Sequence, residues 1–139
     1  MKTRIMFHLL SFCLLFLAPI GFSQEKNITQ VKFRGTSTKF ALMVSNVSHL
    51  KAALMTAEEM NVKKNKYNFE IVIVGELAKS IVEDSSLIED INLSQKLGVK
   101  IVICSNALKF FNVDETKMDK RIKITENGWI YMFELSDKG

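Results

Sequence analysis

The sequence predicts an α/β fold: a three-layer αβα sandwich around a mainly parallel sheet of about five strands. Three observations carry that expectation. The runs "FALMVS" (40–45), "FEIVIVG" (69–75) and "VKIVIC" (99–104) are apolar almost throughout, as strands covered on both faces are. Each is followed by a segment with helical spacing or helix-start residues, the alternation that gives parallel pairing with helices on both faces. The single proline is Pro19, so nothing after it signals a sharp linker or a second domain.

The elements follow in order. Residues 24–39, "QEKNITQVKFRGTSTK", read as a polar N-terminal arm with a short strand at Val31–Phe33. After the strand at 40–45, Val47, Leu50, Leu54 and Ala57 recur at steps of three and four, which marks an amphipathic helix with Asn46 or Ser48 as its cap. The lysines near its end suit the helix dipole. Gly75 closes the strand at 69–75, and "ELAKSIVED" reads as a short helix. "SSLIEDINLSQKLG" reads as another, with Ser85 or Ser86 as cap and Gly98 as its stop. The strand at 99–104 leads into "SNALKFFNV", a helix of about two turns. "DETKMDKRIKITEN" is a charged connection, and "GWIYMFEL" (128–135) reads as the last strand, with Trp129, Tyr131 and Phe133 alternating on one face as a core or subunit contact.

The opening "MKTRIMFHLLSFCLLFLAPIGFSQ" places Lys2 and Arg4 before an apolar stretch that Pro19 and Gly21 break, with small residues at Gly21 and Ser23. This is the layout of a secretory signal peptide over residues 1–23, and the apolar stretch is shorter than the ~20 residues of a membrane span. The expected organisation is signal peptide 1–23, arm 24–39 and α/β domain 40–139, with export, in the periplasm, and no membrane contact after cleavage. Losing Lys2 and Arg4 lowers the formal charge from +4 to +2. So small a charge, without basic residues interleaved with aromatics, argues against nucleic-acid binding. Neither a P-loop nor a GxGxxG pattern occurs, so no cofactor is expected. His49 is the one histidine left after residue 23, so no metal site is expected either.

Of the two cysteines, Cys13 lies in the signal segment, leaving Cys104 alone. An odd cysteine in an exported chain is either a reactive thiol, an intermolecular bridge or a small buried hydrophobe. Cys104 ends its strand, and ligands collect beyond the carboxyl ends of parallel strands. A helix starts there, whose free N–H groups favour an anion, and Ser105 and Asn106 add polar groups beside it. Asn46 and His49 follow the first strand on the same edge, where His49 is a candidate to stabilise a thiolate or pass a proton, against the plainer role of a surface histidine in a first helical turn. Glu76, after the second strand, suits a helix start for dipole reasons alone.

Four pieces, "AALMTAEEM", "FEIVIVGELAKSIVED", "LGVKIVICSNALKFFNV" and "NGWIYMFELSDKG", resemble in this order the DsrE/DsrF-like family of small sulfur-relay proteins, TusD- and YchN-like members among them. The third is the most specific, matching a "GV…C.N.L" pattern at Gly98, Val99, Cys104, Asn106 and Leu108. The resemblance implies a three-layer domain that assembles into trimers or hexamers, and a persulfide on Cys104 passed between a sulfur donor and an acceptor protein. The expected function is therefore an exported sulfur carrier or sulfurtransferase-like protein. The alternatives are a non-catalytic oligomeric binding protein with a structural cysteine, and a redox module that forms an intermolecular disulfide.

Overall fold

A computed structural model of the chain describes residues 38–137. The expected signal peptide, nearly all of the arm and the strand expected at Val31–Phe33 lie outside the described residues. The elements are β1 (Lys39–Val44), α1 (Val47–Glu59), α2 (Val62–Asn65), β2 (Asn68–Ile73), α3 (Leu77–Glu83), α4 (Ile88–Leu97), β3 (Lys100–Cys104), α5 (Ser105–Phe110), β4 (Lys123–Thr125) and α6 (Gly128–Asp137). Short 3₁₀ turns at Ser85–Leu87 and Glu115–Lys117 link α3 to α4 and α5 to β4.

The sheet has four strands, one fewer than expected, in the order β1-β2-β3-β4, and every pair is parallel. Sequential order with right-handed crossovers places all crossover helices on one face. The register agrees. Phe40 and Phe69, Leu42, Ile71 and Ile101, and Val44, Ile73, Ile103 and Ile124 lie in rows across the sheet. Most of these residues join one hydrophobic cluster with Leu50, Leu54 and Ala57 of α1, Leu77 and Ile81 of α3, Ile91 of α4 and Leu108 of α5. The alternate residues, Ala41, Glu70 and Lys100, and Met43, Val72 and Val102, face the other way, where α6 lies against β1 and β2. The molecule is thus a three-layer α/β sandwich with several crossover helices on one face and one helix on the other.

Local signals explain most boundaries. Asn46 is the cap of α1: its Oδ1 accepts from the His49 backbone N–H at 2.9 Å. Gly98 stops α4 in the left-handed region at φ 74°, and the Gly98 and Val99 N–H groups return to Gln95 and Ser94 carbonyls. The cap expected from Ser85 or Ser86 falls instead to Asp84, which accepts from the Ser86 N–H at 2.9 Å and starts a 3₁₀ turn before α4.

The C-terminal reading is corrected. Residues 128–137 are helix α6, and the last strand is Lys123–Thr125, inside the stretch taken for a charged connection. The Asn127 side chain decides this, accepting from the Trp129 N–H at 3.0 Å and the Ile130 N–H at 3.4 Å, a helix start. Trp129 and Phe133, spaced i, i+4, then share the outer side of α6, and Tyr131 turns inward, so the aromatic strand face does not form. Ahead of β4, Arg121 binds Asp119 and reaches Asn92 of α4 at 2.8 Å, which ties the edge strand to the helical layer. That guanidinium holds the Asp119 carboxyl at about 2.

Gly128 sets how closely α6 approaches the sheet. A Cβ there would lie 2.8 Å from Val74 Cγ1 and 3.4 Å from Val72 Cγ1 and from Cys104 Cβ. The stiff valines leave little room to yield. Gly128→Ala is expected to destabilise the fold by about 1–3 kcal/mol, the range for overpacking, despite the better helix propensity of alanine. Urea unfolding checks this, and an unchanged or raised midpoint contradicts the close approach.

Candidate functional site

Cys104 is where the topology suggests, the last residue of β3 at the carboxyl edge of the sheet. Its side chain belongs to the α6 face, in register with Thr125 of β4. The residue is only 6% exposed. Its Sγ lies 3.7 Å from the Glu126 carbonyl oxygen, to which the thiol donates, and the same oxygen accepts from the Asn106 N–H at 3.2 Å. The turn from β4 into α6 therefore crosses the end of β3, and Gly128 sits directly against the cysteine. A bulkier residue at the start of α6 would collide with Cys104 and the two valines together.

The sequence-derived neighbours divide. Ser105 and Asn106 follow Cys104 at the start of α5. Ser105 is buried, and Asn106 is exposed with its backbone bound to Glu126. Asn46 and His49 lie elsewhere on the same edge. β2 separates their strand from β3, a span of two strand spacings of about 4.8 Å each. Their side chains bind one another, with Asn46 Nδ2 donating to His49 Nδ1 at 3.1 Å, so His49 serves the cap of α1. Glu76 starts α3 and makes no side-chain capping bond. Among the described residues, no group of three or more histidine, cysteine, aspartate or glutamate side chains could hold a metal ion. No helix among them is long and apolar enough to cross a membrane.

A second polar cluster escaped the sequence reading. Glu70 is 5% exposed in the middle of the sheet. The Tyr131 hydroxyl of α6 donates to its Oε2 at 2.7 Å, and Lys100 Nζ donates to its Oε1 at 3.4 Å and to Asn68 Oδ1 at 2.9 Å. A carboxylate buried in a strand requires such partners. The signal was present in "FEIVIV", where one acid interrupts an otherwise apolar strand. Next to Glu70 a cleft of about 260 Å³ opens between the amino ends of β1 and β2 and the second half of α6, lined in part by Ala41, Met132 and Leu135. It lies at the opposite end of the strands from Cys104, so it is not the thiol's pocket.

Burial, followed by the hydrogen bond to Glu70, pushes the Tyr131 phenol up to about 12 from its ordinary value of 10. A raised folded-state value, set first by burial and then by this hydrogen bond, means that the neutral phenol favours the folded state: its contribution is present below pH ~10 and is lost as pH rises toward ~12. The stability difference between the wild type and Tyr131→Phe is expected to shrink over that interval when urea midpoints are compared across pH. A difference that stays constant contradicts the assignment.

No protein-family model matches the sequence, and no curated protein matches it. Among solved structures, the chain is similar to a protein of unknown function, MTH1491 from Methanobacterium thermoautotrophicum, with a TM-score of 0.62 at 16% sequence identity. The match covers 74% of this chain and 93% of that one. At this identity the likeness shows a shared fold.

Proposed function

We propose that the protein is an exported sulfur carrier of the DsrE/DsrF-like kind, holding sulfane sulfur as a persulfide on Cys104. The observation that supports this reading best is the place of Cys104, at the carboxyl end of a central strand in an all-parallel sheet, where α/β folds gather their chemistry. The reaction is a transfer without net oxidation. The Cys104 thiolate attacks the outer sulfur of a donor such as thiosulfate, the new Sγ–S bond forms as the donor's S–S bond breaks, and sulfite leaves with the electron pair. Transfer to an acceptor thiolate reverses these roles and restores Cys104. Ser105 and Asn106 are the adjacent polar residues of this site, and Asn46 and His49 form the same edge farther along. The export part of the proposal rests on residues 1–23, and the site of action would be the periplasm.

Self-association into a trimer or hexamer belongs to the same proposal. Phe110, 79% exposed on α5 near this edge, is the kind of side chain that a subunit contact would cover.

The burial of Cys104 favours a second reading, a binding protein of the same fold in which the cysteine only fills the junction of β3 and α6. Sulfur uptake separates the two. The full chain is incubated with thiosulfate or polysulfide, and peptide mass analysis resolves Cys104 from Cys13. One added sulfur atom on Cys104, removed by reductant and absent in Cys104→Ser, supports the carrier. No adduct at Cys104 leaves the structural role.

A further inference from the structure

We propose that α6 is a lid over Cys104, latched to the sheet by the Tyr131–Glu70 hydrogen bond, and that its lifting gives reagents access to the thiol. The inference rests on the thiol reading of Cys104, and its subject is access, not sulfur chemistry.

The cover is the turn that leads into α6 together with its first residue, and the latch lies within the helix. The cover is the Glu126–Gly128 turn: the Glu126 carbonyl accepts from Sγ, and Gly128 lies against Cys104 with no side chain between them. The latch is one turn farther on, where Tyr131 reaches the buried Glu70 in the middle of β2. Few residues of α6 are buried. Gly128 is its one buried residue, while Tyr131, Met132 and Leu135 are half-buried. Its large apolar side chains point to solvent, with Trp129 at 62% and Phe133 at 68% exposed. The cleft beside Glu70 leaves its second half incompletely packed on β1 and β2. By contrast, the crossover helices bury Leu50, Leu54, Leu77, Ile91 and Leu108 in a continuous cluster. An element with few buried side chains opens before the core does.

The device works because the two faces of the sheet are independent. Lifting α6 uncovers Val72, Val74 and Cys104 but leaves the cluster around Ile71, Ile73, Ile101 and Ile103 intact. Lys100 still neutralises Glu70 after Tyr131 has left, so the open form does not strand a bare carboxylate.

The test is alkylation of Cys104 in the full chain by a small maleimide, followed by site-resolved mass analysis across a range of urea below the unfolding transition. In the wild type, labelling is expected to be slower than in the unfolded chain and to depend on urea much less steeply than global unfolding does. Tyr131→Phe should speed labelling at least about tenfold, the factor for losing a hydrogen bond to a charged group. Ile71→Val, which weakens the other face, should leave native-state labelling unchanged. The proposal is overturned if wild-type labelling follows global unfolding or already runs at the unfolded-chain rate. It also fails if Tyr131→Phe has no effect, or if Ile71→Val accelerates labelling as much. The wild-type urea dependence keeps the test decisive should a variant not fold. A Cys104 that labels through the lid but takes up no sulfur overturns the carrier and leaves the lid standing.

Discussion

The structure depends on how one face of a parallel sheet is covered. Four strands joined in sequential order send every crossover to the same side. That side acquires α1, α3, α4 and α5 and an unbroken apolar cluster. The opposite face, with Val72, Val102 and Cys104 on it, would meet water if the chain ended at β4. Among the described elements α6 alone returns across it, and Gly128 permits the return by letting backbone rest directly on valine side chains. The thiol's burial and the shielding of Glu70 follow from that single covering.

An acid in the middle of such a face looks like a fault in the core, yet it gives the covering helix its register. An apolar helix lying on an apolar strand face has few features that fix its rotation. Tyr131 can reach Glu70 in only one rotation, the one that turns Trp129, Ile130 and Phe133 outward. Polar ties of this kind often act on specificity more than on stability, because desolvating the carboxylate offsets much of what its partners return. Lys100 limits that offset by carrying the opposite charge at the amino edge of β3, where its amine remains half in water.

The first three strands, the caps and stops at Asn46 and Gly98, and the edge position of Cys104 were all legible in the sequence. Each of those signals is local: a β-branched run, a side chain that caps its own backbone three residues on, or a glycine free to take the left-handed turn that ends a helix. The C-terminal region was not legible, because its two clues point in opposite directions. "RIKIT" alternates over only a few residues among charges, and β4 is short and lies at the edge. "GWIYMFEL" shows an alternation of aromatics that suits a strand, and only the Asn127 cap marks it as a helix. The partner of Cys104 was missed for a different reason. The Glu126 carbonyl is backbone, and a backbone contact across 22 residues leaves no trace in residue types.

That last contact bears on what the thiol can do. A cysteine placed at a strand end for chemistry alone would be expected to face the open edge, and one placed for packing alone would lie mid-strand, where apolar contact is greatest. Cys104 does neither, since it has the position of the first and the burial of the second. The two are compatible when the covering element is attached more weakly than the sheet it covers. Gly128 belongs to the helix with no buried side chain, while the Glu126 carbonyl before it is also tied to the Asn106 N–H of α5. Shielding the sulfur and reaching it are then controlled by different contacts, and the thiol's exposure is set by the stability of α6 on the sheet rather than by the stability of the domain.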